Sequence, residues 1–251
     1  VSAGTEPVEV WLVDLARAAP SLAAAEAAHP HLSNDELDRA AAMGESGEDW
    51  RLSRIALRIV LERVVGSQLR QQPFRLSSRG KPALPWDAGI EFSLSHTGQY
   101  ALIAVARKAV GVDLEQVRPV RFPPDRQQAM LDAARALVGS GPIEFLQAWV
   151  RLEAWAKARG SGVGALLHDI SIRGPGWEAH TAQTDFGAIA AERQRAEGFI
   201  IQDLDLPAPF HGAIAINASR VHLHLRHFPA HMGSIDDLEA PPAALLAKSA
   251  G

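Results

Sequence analysis

Apolar and polar positions alternate near the start of the chain. Val8-Glu9-Val10-Trp11-Leu12-Val13 mixes this alternation with β-branched residues, so residues 8–15 are predicted as a strand. The period then lengthens. Ser33, followed three residues later by Glu36, forms a capping box that opens a helix expected to run to about residue 43 and break near Gly44. A longer helix over about 49–65 ends at Gly66. Its apolar stripe is Leu52, Ile55 and Ile59, widened by Leu57, Val60, Leu61 and Val64. Residues 71–90, with Pro73, Pro82 and Pro85 among serines and glycines, read as loop. Residues 91–95 and 100–106 read as paired strands around a Thr97-Gly98 turn, with a third strand over 111–115. Helices follow over 125–138 and 143–159, the second with Pro142 near its first turn. Strands return at 169–172, 199–206, 213–217 and 221–226. This order predicts an α+β chain of two similar halves, 1–108 and 109–228, and a loosely packed tail over 229–251.

Composition narrows the function classes. With 251 residues the chain can bury a real core, in one large domain or two small ones. Hydrophobic residues at 47% and charged residues at 22% are ordinary for a soluble globular protein. No apolar run approaches the roughly 20 residues that cross a bilayer, and no secretory signal is visible. Cytoplasm is therefore the expected compartment, with no membrane partner. A net charge of −4 argues against a general nucleic-acid binder. With no cysteine there is no disulfide framework, thiolate metal site or thiol nucleophile. Arg51, Arg54 and Arg58 stand at helical spacing and can share one face. That stripe is either solvated or a surface for phosphates or an acidic partner.

Several positions carry candidate chemistry. Asp113 and Glu115, in Gly111-Val112-Asp113-Leu114-Glu115, project from the same face of a strand while Val112 and Leu114 turn inward. Such neighbouring carboxylates repel one another, and a divalent cation relieves the repulsion. Glu153 and Lys157, four apart on a helix, form either a surface salt bridge or, with Glu153 as third carboxylate, part of a magnesium site. Ser95 and His96 are sequence neighbours whose side chains diverge, which disfavours a catalytic dyad and suits two separate contacts to a polyanion. Gly80-Lys81-Pro82 is a turn beside prolines, and the proline after the lysine excludes a Walker-type loop. In His222-Leu223-His224-Leu225-Arg226-His227 the leucines form the buried face of an edge strand and the histidines the wet one, with metal binding a minor alternative.

Taken in order, Gly80-Lys81-Pro82, Phe92-Ser93-Leu94-Ser95-His96, Gly111 to Glu115 and Trp149 to Gly160 resemble the motifs of the 4′-phosphopantetheinyl transferases, in their long, monomeric, surfactin-type branch. The resemblance covers about residues 32–167. It implies two α/β halves related by a pseudo-two-fold axis, with coenzyme A in the cleft between them. By position, it implies Asp113, Glu115 and Glu153 as Mg2+ ligands, Glu153 as base and Lys157 as the pyrophosphate contact. It also implies Lys81, His96 and Ser95 at the nucleotide end, with Arg39 as a further contact to the 3′-phosphate. The partner it implies is an apo carrier protein of fatty-acid, polyketide or non-ribosomal peptide synthesis, and the state it implies is a monomer.

Two departures stand out. The pattern Trp-x-x-Lys-Glu has Leu152 at its lysine position, and Arg151 projects about 100° away on a helix. The following Gly-Lys-Gly is altered to Arg159-Gly160-Ser161-Gly162. Leu152 keeps open a second reading, a catalytically weak homologue that binds coenzyme A or a carrier protein. A third reading is a Mg2+-dependent nucleotide phosphohydrolase.

Overall fold

The computed structural model describes residues 5–138, 144–161, 198–233 and 237–246. Along them run β1 (Glu6–Asp14), α1 (Leu15–Ala28), α2 (Asn34–Ala42), α3 (Gly47–Val65), β2 (Arg75–Leu76), β3 (Pro82–Ala83), β4 (Glu91–Thr97), β5 (Tyr100–Ala106), β6 (Val110–Gln116), α4 (Pro124–Val138), α5 (Phe145–Ala158), β7 (Phe199–Asp203), β8 (Phe210–Asn217), β9 (Val221–His227) and the short α6 (Ala243–Leu246). The chain is mixed α+β. No helix among the described residues is long and apolar enough to cross a membrane.

The strands form a four-stranded sheet in the order β4-β5-β1-β9, a three-stranded sheet in the order β6-β8-β7, and the small β2-β3 ribbon. The two-residue period sorts the side chains between layers. From β1 and β5, Trp11, Val13, Ala101, Ile103 and Val105 face Leu15, Leu22, Ile55 and Ile59 of α1 and α3. The intervening Val8, Val10, Leu12, Leu102 and Ala104 face Val110, Val112, Leu114, Ile214 and Ile216 of the second sheet. On the far side of that sheet, Ala213 and Ala215 meet Ala148, Leu152, Trp155 and Ala156 of α5. The two sheets thus share one apolar layer and each carries helices outside it.

Several elements follow the sequence pattern closely. Glu36 closes its capping box, accepting from the Ser33 backbone N–H at 3.1 Å, and α3 stops at Gly66, whose φ is 91°. Val112 and Leu114 do lie in the core.

Other features differ. α1 has no counterpart in the sequence reading, because its alanine-rich stretch, with Pro20 inside, shows little amphipathic contrast. It begins under Asp14, whose Oδ1 accepts from Arg17 N–H at 3.0 Å. Within the loop expected over 71–90, β2 and β3 pair. The strand expected over 199–206 stops at Asp203. β9 leaves β8 and pairs parallel with β1, Val8 opposite Leu223 and Val10 opposite Leu225. The strand expected over 169–172, Pro142 and Gly162 lie outside the described residues.

Candidate active site

Gly111, Asp113 and Glu115 occupy alternate positions of β6, on the face opposite Val112 and Leu114. Gly111 is what lets α5 press onto that face. A Cβ there would stand 2.1 Å from the Ala154 carbonyl oxygen and 2.4 Å from the Ala158 nitrogen. With Ala154 and Ala158 of α5 against Gly111 at the crossing, Lys157 is carried over Asp113. Its Nζ donates to Asp113 Oδ1 at 2.7 Å and stands 3.6 Å from Glu153 Oε1, one helical turn earlier.

Asp113 is buried, 3% exposed. Its Oδ1 accepts a second hydrogen bond, from Ser95 Oγ on β4 at 2.6 Å. Its Oδ2 is buried without a hydrogen-bond partner. Burial pushes the Glu153 carboxyl up to about 7, and the negative charges of Asp113 and Glu115 add to the rise while Lys157 opposes it. Glu115 is also raised, first by burial, with Arg118 opposing from 2.9 Å and Asp113 adding. As they stand, no three His, Cys, Asp or Glu among the described residues are gathered as a metal-holding group. Lys157 sits between Asp113 and Glu153, and Glu115 pairs with Arg118.

Beside Lys157 opens a cavity of about 220 Å³ whose lining includes Arg54, Arg79, Lys81 and Phe92. Lys81 Nζ donates to the Val110 carbonyl at 3.0 Å and stands 3.4 Å from Glu91 Oε2; burial lowers its pKa, with Glu91 opposing. Arg54 lies 4.9 Å from the Trp50 ring, and its Nε is buried without a hydrogen-bond partner. Burial lowers its pKa too, against the pull of Glu36. His96 keeps contact with solvent, and partial desolvation, then the positive charges of Arg54 and Lys157, lower its pKa. Arg39 is exposed, with its guanidinium 5.4 Å from the Trp50 ring.

The structure therefore brings Lys81 and Lys157 to one cavity and Ser95, Asp113, Glu153 and Lys157 to one cluster. Sequence reading had Arg54 only as one of three arginines on a stripe, solvated or facing phosphates or an acidic partner. The only signal was the spacing of Arg51, Arg54 and Arg58, which is silent about what each side chain meets. Arg51 pairs with Glu48 at 2.8 Å. Arg58 is buried, donating to Glu36 Oε2 at 2.6 Å and to the Leu69 and Gln72 carbonyls at 3.1 and 2.8 Å. Only Arg54 of the three lines the cavity.

Leu152 is fully buried, in the apolar cluster that α5 shares with α4 and the second sheet. Arg151 faces elsewhere, donating through Nε and Nη2 to the two oxygens of Asp203 on β7, each at 2.6 Å. The departure from Trp-x-x-Lys-Glu thus falls at a core position. On β9, His222 and His227 are exposed and His224 is half-buried; the rings of His222 and His224 lie 4.3 Å apart.

No family model matches the chain. In sequence it is 26% identical over 127 residues to the 4′-phosphopantetheinyl transferase psf-1 of Bacillus pumilus, covering 49% of this chain and 54% of that protein. It is 29% identical over 159 residues to a putative 4′-phosphopantetheinyl transferase of Synechocystis, covering 55% and 61%. To the 4′-phosphopantetheinyl transferase Sfp of Bacillus subtilis it is 25% identical over 128 residues, covering 49% and 56%. These similarities relate the chain to the 4′-phosphopantetheinyl transferase superfamily. It spans little more than half the length of the curated relatives it matches.

Proposed function

We propose that this protein transfers the 4′-phosphopantetheine arm of coenzyme A to a serine of an apo carrier protein, with Mg2+ at the carboxylates. The observation that carries this reading is that Lys157 belongs at once to the buried Asp113 and to the cationic cavity. A polyanionic donor and a carboxylate cluster meet at that side chain. Coenzyme A, with a diphosphate and a 3′-phosphate, suits the lining cations Arg54, Arg79, Lys81 and Lys157, with His96 and Arg39 as neighbours toward the nucleotide end.

The donor set fits a hard divalent cation. Asp113 Oδ2 is a buried acceptor lacking a partner, and Glu115 and Glu153 are held up by burial and by their acidic neighbours. Asp113, Glu115 and Glu153 are the residues that would hold Mg2+, which when bound offsets charge on the diphosphate.

In the reaction, Glu153 takes the proton of the carrier serine hydroxyl as its oxygen bonds to the pantetheine-side phosphorus. The bond from that phosphorus to the bridging oxygen breaks, and adenosine 3′,5′-bisphosphate leaves with the electron pair. Lys157 stabilises the departing charge. Beyond β6, the exposed Val117, Arg118 and Arg121 offer a surface that is both apolar and basic, suited to an acidic carrier domain. In this reading the two halves are related by a pseudo-two-fold axis, and a monomer in the cytoplasm suffices to build the cleft. The buried place of Leu152 argues against the weak-homologue reading, since no cation is missing from the cleft on its account.

Incubation with coenzyme A, Mg2+ and a set of apo carrier domains should add a phosphopantetheine mass to at least one of them. Asp113→Ala should abolish the addition while circular dichroism still reports the folded chain. Full activity in that variant overturns the proposed ligand set.

A further inference from the structure

We propose that His222 and His224 on β9 form a site for a borderline divalent transition-metal ion, Cu2+, Ni2+ or Zn2+. This site stands apart from the carboxylate cluster and does not depend on the transferase reading. β9 and β4 are the opposite edges of the first sheet, with β5 and β1 between them.

The site is built by alternation along the strand. Leu223 and Leu225 turn into the apolar layer between the sheets, so His222 and His224 project together from the other face. Parallel pairing with β1 from Val221 to His227 holds the backbone of both in place. The two ring centres lie 4.3 Å apart, with their planes inclined at 45°. Imidazoles sharing one ion, each through a nitrogen about 2.0–2.1 Å from it, have ring centres about 4.5–5 Å apart. A small side-chain rotation reaches that separation without moving the strand. His222 is exposed and His224 half-buried, so an ion enters from solvent.

The surroundings decide which ion fits. Imidazole nitrogen suits copper, nickel and zinc, whereas Mg2+ prefers oxygen. The carboxylate opposite His224 in the ladder is Glu9 of β1, fully buried and held by Arg63 and Arg226, each at 3.3 Å. Arg226, next on the histidine face, has its charge taken up by Glu9 and Glu239. Among the described residues no third His, Asp or Glu joins the pair. The chain thus supplies two ligands and leaves the other coordination positions to water or a small chelating molecule. His227 falls on the leucine side of the alternation, which makes it a control.

The test titrates Cu2+ alone into the unaltered chain, His222→Ala, His224→Ala, His227→Ala and Asp113→Ala. Calorimetry measures affinity, and electron spin-echo modulation counts the imidazoles on each ion. The unaltered chain should hold its tightest Cu2+ through two imidazoles. Losing even an outer partner of a metal ligand costs about tenfold or more in affinity. His222→Ala and His224→Ala remove a ligand itself, so each should weaken binding by at least about tenfold and leave one imidazole. His222 is exposed, so its replacement reports on the ion and not on folding. His227→Ala and Asp113→Ala should leave this affinity unchanged. The proposal is overturned if the unaltered chain shows fewer than two imidazoles per ion, or if His222→Ala binds Cu2+ as tightly as it does. Equal loss in His227→Ala or Asp113→Ala overturns it too.

Discussion

Arg51, Arg54 and Arg58 share a helix face, and their fates depend on what the rest of the chain brings to each. Arg58, itself buried, ties α3 to Glu36 and to two carbonyls of the following segment. Arg58→Met strips buried Glu36 of its bonded guanidinium and leaves it only the more distant charge of Arg54. It should destabilise the protein by about 3–5 kcal/mol, the usual cost of breaking a buried pair from one side. Urea denaturation measures this directly. Arg54 answers to a different constraint, because its buried Nε has no partner and its guanidinium borders the cavity. A lost charge-assisted hydrogen bond is worth about 1.5–3 kcal/mol, so Arg54→Met should weaken binding of adenosine 3′,5′-bisphosphate by about tenfold or more. Calorimetry that found the affinity unchanged would remove Arg54 from the site.

At the scale of elements, the decisive contact is α5 against β6. A Cβ on Gly111 collides with the backbone of Ala154 and Ala158, so Gly111→Ala forces the helix outward. Overpacking of this kind costs about 1–3 kcal/mol. The same shift draws Lys157 away from Asp113, so transfer should fall by more than stability alone explains. Thermal unfolding and the carrier mass assay, run on one preparation, separate the two effects. Leu152 makes the complementary case at another buried position of α5. Leu152→Lys restores the residue of the family pattern yet places an ammonium in an apolar layer, and should cost about 3 kcal/mol or more. A variant that is both stable and more active would mean that this position reaches the cleft after all.

For the whole molecule, the return of β9 to the first sheet and the apolar layer between the sheets join distant parts of the chain. Acid sensitivity follows from pairs that span such distances. Asp203 on β7 is partly desolvated, which raises its pKa, but Arg151 and Gln147 on α5 outweigh this and hold it below the usual range. A depressed folded pKa gives stability that is complete above the unfolded value, about 3.9 for Asp, and is lost as pH falls through the folded one. Arg151→Met should therefore lose stability near neutral pH and show a shallower decline between about pH 5 and pH 2. Comparing the two chains isolates this pair from Glu153, whose raised pKa acts in the opposite sense. Parallel urea midpoints across that interval would show that the pair contributes nothing.

The sequence by itself determined the local elements whose period or punctuation is strong: β1, the capped α2, α3 up to Gly66, the hairpin of β4 and β5, and the face that β6 turns inward. It also placed Asp113, Glu115, Glu153 and Lys157 within motifs, because spacing along a strand or helix fixes which side chains share a face. Tertiary structure alone decided what those faces meet. An alanine-rich segment such as α1 gains its helix from the sheet it covers, and no period announces that β9 pairs with β1. Periodicity carries directions relative to one element's own axis, whereas the partners of Arg54, Arg58, Ser95 and Leu152 depend on how separate elements dock. That is why three arginines at helical spacing became a surface pair, a cavity wall and a buried tie.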